Sequence, residues 1–500
     1  MDLLSELVFI IMQRPPKHVD ALLSPSSKMR QFFNLLQHGK ASTDEEAAKY
    51  IYNSLPKDKR YLMLKRNLVN KLTEIVLDTE YFDRGNIHSI KFECEKELTV
   101  SMKLLLQNVF HTAERIIQRI KVLAQQYHLT DIEIKCLQQE RTIASLKGQW
   151  SEVKIINDRI DELSVLNNRI IQSTGWLELA TSRIRCFISK SSALEEEAKS
   201  YANTIDGWVE QTPNSILRYN NTYLRIIQLI QTNKTVQIRN SINELCALLE
   251  ANPQLKTIAA KIDYYFYTAI CSRMEGNLNE AKSAIEICLE LTDYKAFNRF
   301  AVQVLHFDLL CKEKRYEQAA EVLLEVKSQP QYELINTPDK VSWEIRKAYL
   351  YYAFLAESPE LIGKYIPEYA RKVDINTLSN NSKFISKDKQ GLNLMLSTIR
   401  VLLLMEIHPD ELHNEGENLR IYYYRHLKTE NCERTKVFTR ALYKLIMGNL
   451  NQAELNRGVQ DFSARLKELS KIKMYDNPEL IDYEDLGVMI TKRLQRRLSL

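Results

Sequence analysis

Glycine and proline, the residues that punctuate chain turns, are scarce at 12 each in 500 residues. Both break helices, and tight β-hairpins depend on glycine, so the deficit argues against most strand-rich architectures. The eight cysteines (Cys94, Cys136, Cys186, Cys246, Cys271, Cys288, Cys311 and Cys432) include no Cys-x-x-Cys pair. That leaves no zinc or disulfide framework and fits reduced core thiols in a cytoplasmic protein. Charge of one sign is lacking too: the formal net charge is only +5, so any contact with nucleic acid or membrane has to be local. Long apolar runs are missing. Leu7-Val8-Phe9-Ile10-Ile11-Met12 is short, follows Asp2 and Glu6 where a secretory leader needs basic residues, and meets Pro15-Pro16 at once. Neither a leader nor membrane insertion is expected.

What fills the chain is helical periodicity. From Leu98 to Ala124 apolar residues recur every three or four positions, through Met102, Leu105, Leu106, Val109, Ala113, Ile117 and Ile120. This spacing predicts one long helix with a single apolar stripe. Thr130-Asp131 has the short oxygen-bearing side chains that start helices, and a break is expected at Lys147-Gly148. Gly175, Gly207 to Pro213, Pro253, Pro330, Pro338 and Pro359 mark further candidate breaks. The polar stretch 376–391 lacks an apolar stripe and reads as an exposed linker. The expected organisation is a helical region over 1–90, an array of helical hairpins over 91–375, the linker, and a second helical region over 392–500.

One turn is written twice, as Gly276-Asn277-Leu278-Asn279-Glu280-Ala281 and as Gly448-Asn449-Leu450-Asn451-Gln452-Ala453. Around the first copy, Tyr265, Ala269, Gly276, Ala281, Ile285 and Cys288 form a pattern that resembles the tetratricopeptide repeat. In such a hairpin the helices cross closely only where small side chains face each other, here Ala269 and Ala281. Lys314-Arg315-Tyr316-Glu317-Gln318-Ala319 keeps the frame, with Phe307 departing from it where the family has a small residue and implying a wider crossing. The match is clearest over 255–330 and loose over 130–470. The resemblance implies an all-α fold, a tetratricopeptide-like α-solenoid of antiparallel helical hairpins with an N-terminal helical region. An ordinary nonrepeating bundle of hairpins is the alternative.

No catalytic, cofactor-binding or metal constellation lies over this scaffold. No window has the spaced glycines of a phosphate cradle, and His408 and His413 are five apart and interrupted by Pro409, the wrong arrangement for a helical metal pair. Two basic amphipathic segments stand out: Lys59, Arg60 and Arg66 in one, Lys492, Arg493, Arg496 and Arg497 in the other. They are candidates for phosphate or for an acidic partner, against a reading as solvated helix faces. Aromatic runs 264–267, 349–352 and 421–424 are the other oddity. Consecutive helical residues point about 100° apart, so such a run on a surface helix has some rings outward. Tyr264, Tyr267, Tyr351, Tyr352 and Arg346 are therefore the candidate partner-binding residues of a concave groove.

The function these features suggest is a non-catalytic protein-protein interaction scaffold or adaptor that takes a peptide or helix in the groove. A ligand-responsive regulator with an N-terminal helical effector bundle is one rival, and a nucleic-acid adaptor using the basic helices is another. If Ala281 sits at a close crossing, Ala281→Leu overpacks the hairpin and costs about 1–3 kcal/mol, while Asn279→Ala stays within about 0.5 kcal/mol of the parent. Equal denaturation midpoints for the two variants would remove the repeat frame.

Overall fold

The structure, a computed structural model, describes residues 2–13, 26–78, 86–186, 192–294, 296–371, 391–408, 410–428, 432–448, 452–469 and 479–498. Among them all regular structure is helical, with no strand. The chain forms two compact units, 1–160 and 161–500. This division falls inside the expected array of 91–375, and the expected linker lies outside the described residues apart from Gly391.

In the first unit, α1 (Asp2–Gln13), α2 (Lys28–Gln37), α3 (Asp44–Tyr52) and α4 (Lys59–Asp78) share one core built on Phe32, Phe33, Tyr61, Leu68 and Leu72. A capping box starts α3: Thr43 accepts from the Glu46 amide and Glu46 reaches back to the Thr43 amide, satisfying donors a helix start otherwise strands. Next come α5 (Ile87–Leu106), α6 (Phe110–Gln126) and α7 (Thr130–Leu146), packed around Cys94, Ile117, Ile120 and Cys136.

The expected single helix over 98–124 is thus two helices. A turn at Gln107-Asn108-Val109 divides it, and Leu106 and Val109 of the supposed stripe are exposed. The cause is one turn geometry used repeatedly. Asn108, His128, Gly148, Gly276 and Lys314 all have left-handed backbone, with φ from 55° to 80°. The amide after each donates to the carbonyl six residues back, counted inclusively: Val109 to Leu104, Leu129 to Ala124, Gln149 to Ala144, Asn277 to Ser272 and Arg315 to Leu310, all at 2.8–2.9 Å. This is the Schellman closure of a helix end. Asn108, His128 and Gly148 fall 20 residues apart, so the turns pace α5, α6, α7 and the start of α8 (Trp150–Cys186).

The second unit begins within α8. It continues through α9 (Ser192–Gln211), α10 (Ser215–Gln231), α11 (Thr235–Ala251), α12 (Ile258–Glu275), α13 (Leu278–Leu291), α14 (Asn298–Lys312), α15 (Tyr316–Ser328) and α16 (Thr337–Glu357). From α9 to α16 each helix packs on the one before it, as in a helical repeat. Trp176 of α8 stacks between Tyr201 and Trp208 of α9 at 4.7 and 5.3 Å. Gly175 and Gly207, expected as breaks, lie inside α8 and α9 with open space where a side chain would go. At the hairpin of α12 and α13, Ala269, Ala281, Ile285 and Cys288 are all buried. Phe307 is buried too, edge-on to Trp343 of α16 at 5.8 Å.

After the short α17 (Ile362–Tyr365) and α18 (Pro367–Arg371), the chain adds α19 (Leu392–Ile407), α20 (Leu412–Tyr422), α21 (Glu433–Met447), α22 (Gln452–Leu469) and α23 (Tyr483–Leu498). Neighbours pack again, but α23 also returns to α16. Glycines permit the tight layers here. A Cβ at Gly416 of α20 would stand 2.6 Å from Ile446 Cγ2 of α21, and one at Gly458 of α22 would stand 3.1 Å from Leu445 Cδ1.

Glycine substitutions therefore have opposite signs. Gly416→Ala is expected to destabilise by about 1–3 kcal/mol through overpacking, whereas Gly175→Ala stabilises by about 0.5–1 kcal/mol through helix propensity; chemical denaturation of both variants checks the pair. At the left-handed turn, His128→Gly is expected to stabilise by about 0.5–1 kcal/mol because the strain on a β-carbon disappears. A loss of stability there would contradict the turn geometry.

Candidate interaction surfaces

The expected groove residues are core. Arg346 is 2% exposed: its Nε and one terminal nitrogen donate to the Asp308 carboxylate at 2.8 and 3.1 Å, and its other terminal nitrogen bonds the Ser342 hydroxyl. Tyr352 is 1% exposed, and Tyr351 packs edge-on to Tyr369 at 5.2 Å. Tyr267 is buried against Tyr223 and Phe266, each at 5.6 Å, while Tyr264 is half-buried beside Tyr265. The 100° argument fails on α16 because it assumes a helix with one outer face. Helix α16 has α15, α19 and α23 around it, so successive rings find apolar neighbours in different directions.

The basic candidates separate into tied and exposed side chains. Arg493 turns inward, donating to Glu406 at 2.9 and 2.5 Å and to the Leu355 carbonyl at 3.3 Å. Lys492 and Arg496 are exposed on α23, and the side chain of Arg497 lies outside the described residues. On α4, Arg60 is paired with Asp58 at 2.8 Å and Lys65 with Asp44 at 2.8 Å. Lys59 and Arg66 are exposed and have no ion-pair partner among the described residues. Between them on the same helical stripe, three and four residues from Lys59, with Arg66 at seven, stand Leu62 and Met63, 50% and 67% exposed. Tyr61, Leu68, Leu72 and Ile75 hold the opposite face in the core, which fixes this stripe outward.

A further surface falls on a third aromatic run, Ile421-Tyr422-Tyr423-Tyr424. After Tyr422 the helix widens into a π-helical turn over Tyr423–Leu427, and the Lys428 amide donates to the Tyr423 carbonyl at 3.0 Å. Such turns are rare and carry an extra residue that re-aims side chains. Tyr423 packs inward against Tyr443 of α21 at 5.7 Å, while Tyr424 is 51% exposed with Lys428 over its ring at 5.5 Å. Tyr443 is pushed up to about 12 by burial and by its hydrogen bond with Tyr424. On the adjacent α21, Arg440 and Lys444 lie one turn apart and are exposed. Burial and the charges of Arg440 and Arg465 hold the Lys444 ammonium below its ordinary value. The π turn depends on backbone bonding that no composition signal announces.

Reactive chemistry has little support in these groups. Burial pushes Cys94 up to about 11 and Cys136, Cys271 and Cys288 up to about 12, away from the thiolate form a nucleophile needs. Among the described residues no cluster of three or more His, Cys, Asp or Glu has metal-binding geometry, and no helix is long and apolar enough to cross a membrane. No protein-family model matches the chain, and a search of the curated proteins finds no match.

Proposed function

We propose that this protein is a non-catalytic interaction scaffold, a tetratricopeptide-like helical array of the cytoplasm, and that its partner docks on α4 rather than in a tyrosine-lined groove. The observation that carries the reading is the outward stripe Lys59, Leu62, Met63 and Arg66. Two large apolar side chains in water, bracketed by cations without acidic partners, complement a helix whose own face alternates leucine-like residues with Asp or Glu. The occupant is therefore an acidic amphipathic helix of a partner protein. The buried free thiols Cys94, Cys136, Cys271, Cys288 and Cys311 support the cytoplasmic setting.

A photo-crosslinking residue at Met63 is expected to capture a protein carrying such a helix, and a synthetic peptide of that helix is expected to bind the full chain. Leu62→Asp with Arg66→Glu should abolish that binding, because contact energy concentrates in a few central side chains, while the melting temperature holds. Peptide affinity unchanged in the double variant rejects α4 as the docking face. Crosslinks to lipid, with adsorption to anionic vesicles in place of peptide binding, reject a protein partner.

A further inference from the structure

The turns that pace α5, α6 and α7 leave the two ends of this hairpin array unlike. Lys91 meets Asp131 at 2.8 Å and Ser101 meets Gln139 at 2.7 Å, so residue numbers rise together along α5 and α7. Lys121 meets Glu140 at 2.9 Å and Glu114 pairs with Lys147, so α6 runs the opposite way. The turns at Asn108 and Gly148 therefore share one end, tied by the Glu114 to Lys147 pair. At that end Leu106, Leu146 and Trp150 are 74%, 66% and 77% exposed, and Val109 is exposed with them. The turn at His128 closes the other end with the same backbone geometry, yet there Leu129 is buried and Tyr127 half-buried. Exposure of the first end is thus no demand of the turn.

Cations surround these apolar side chains. Within two turns of the end, Lys103, Arg115, Arg141 and Lys154 have no ion-pair partner among the described residues. Of the carboxylates there, Glu114 and Glu140 are answered by Lys147 and Lys121. The remaining titratable groups are Glu152 and His111, so the unanswered charge is positive. The opening beside Leu146 is lined by Arg141, Thr142, Ser145 and Asn157 as well as Val153, too polar to seat the apolar face of a partner helix. Side chains standing on two turn ends suit instead a surface that both ends meet at once. A lipid interface is such a surface: tryptophan and leucine enter the headgroup boundary, while lysine and arginine keep their charged heads at the phosphates.

We propose that the end of this array carrying Leu106, Val109, Leu146 and Trp150 adsorbs to an anionic lipid surface. The apolar side chains enter the interface, and Lys103, Arg115, Arg141 and Lys154 supply the attraction to negatively charged headgroups. Adsorption of this kind needs no membrane-spanning helix. It is also independent of docking at α4.

Cosedimentation and tryptophan emission of the full chain test this, using phosphatidylcholine vesicles with and without phosphatidylserine. Of the four tryptophans, Trp343 is buried and Trp176 and Trp208 stack on each other in half-buried positions. Trp150 is therefore the one that lipid reaches. Adsorption to the anionic vesicles is expected, with a blue shift in emission, quenching by bromine-labelled acyl chains, and an affinity that falls about tenfold or more as salt rises from about 0.1 to about 0.5 M. Trp150→Phe should adsorb without the shift. Leu106→Ser with Leu146→Ser should weaken adsorption about tenfold or more while the melting temperature holds, because both side chains already stand in water. Trp150→Ser, at a helix start that tolerates serine, should weaken adsorption too and guards against a leucine variant that misfolds. Leu62→Asp with Arg66→Glu should adsorb as the parent does. Absence of adsorption, equal adsorption to neutral vesicles, or parent-like adsorption by the serine variants overturns the proposal. So does loss of adsorption in the α4 variant alone, which would assign the lipid to α4, or a concentration-dependent dimer in place of adsorption, which would assign this end to a second copy of the chain.

Discussion

Burying α16 on all sides is the constraint from which the arrangement of the larger unit follows. Its length includes Arg346, a cation that water no longer reaches. A charge so placed is tolerated only with a partner of good geometry, and Asp308 of α14 supplies one in a paired, forked contact. That pairing fixes the rotation of α16 against α14. With the rotation fixed, Tyr349 donates to the Met395 carbonyl of α19 at 3.2 Å, and Tyr351 and Tyr352 point where α23 must come.

Helix α23 then covers α16 as well as its chain neighbour α22. Lys312 pairs with Asp482 and Lys314 with Asp485 across some 170 residues of sequence, while Glu479 and Glu484 enclose Arg434 at 2.6 Å each. Loop-closure entropy grows only logarithmically with length, so contacts at this separation are not prohibitively costly. The attraction comes mainly from Leu486, Met489, Ile490 and Leu494, which join the same core as α16. Of these pairs Arg434–Glu479 is the buried one and sets register, since breaking one partner of a buried pair costs about 3–5 kcal/mol whereas the intact pair adds little net stability.

Legibility in the sequence follows the same division between local and remote causes. The turn at Gly276 and the break at Gly148 were readable because glycine is the residue that left-handed backbone prefers. Asn108 and His128 adopt the same backbone without that signature, so α5 and α6 read as one helix. Thr130 was a correct helix start for a reason other than the expected one: the turn at His128 ends α6, and no side-chain cap operates at α7. Lys59 and Arg66 were legible as an exposed basic face because the apolar period of α4 fixes which side is inward. Arg493 was not, since Glu406 lies 87 residues away. The tyrosines of α16 were misplaced for the same reason, as burial by α19 and α23 is a property of the packing and not of the run.

The near-neutral net charge hides a pattern that becomes visible only once partners are assigned. On α4, Arg60, Lys65 and Lys71 each have an acidic partner, Asp58, Asp44 and Glu74. On α21, Arg434 and Lys436 have Glu479 and Glu433. Ion pairs at the surface contribute little to stability, so their value here lies in what they leave over. Among the cations without such partners, Lys59 and Arg66 lie on α4 beside exposed Leu62 and Met63, and Arg440 and Lys444 lie on α21, next to the helix that carries the exposed Tyr424. An unpaired surface cation in water costs nothing to keep hydrated, but an exposed Met63 or Tyr424 beside it is unfavourable until something covers it. Exposed apolar area beside an unanswered charge, and not the charge alone, is therefore what marks these faces.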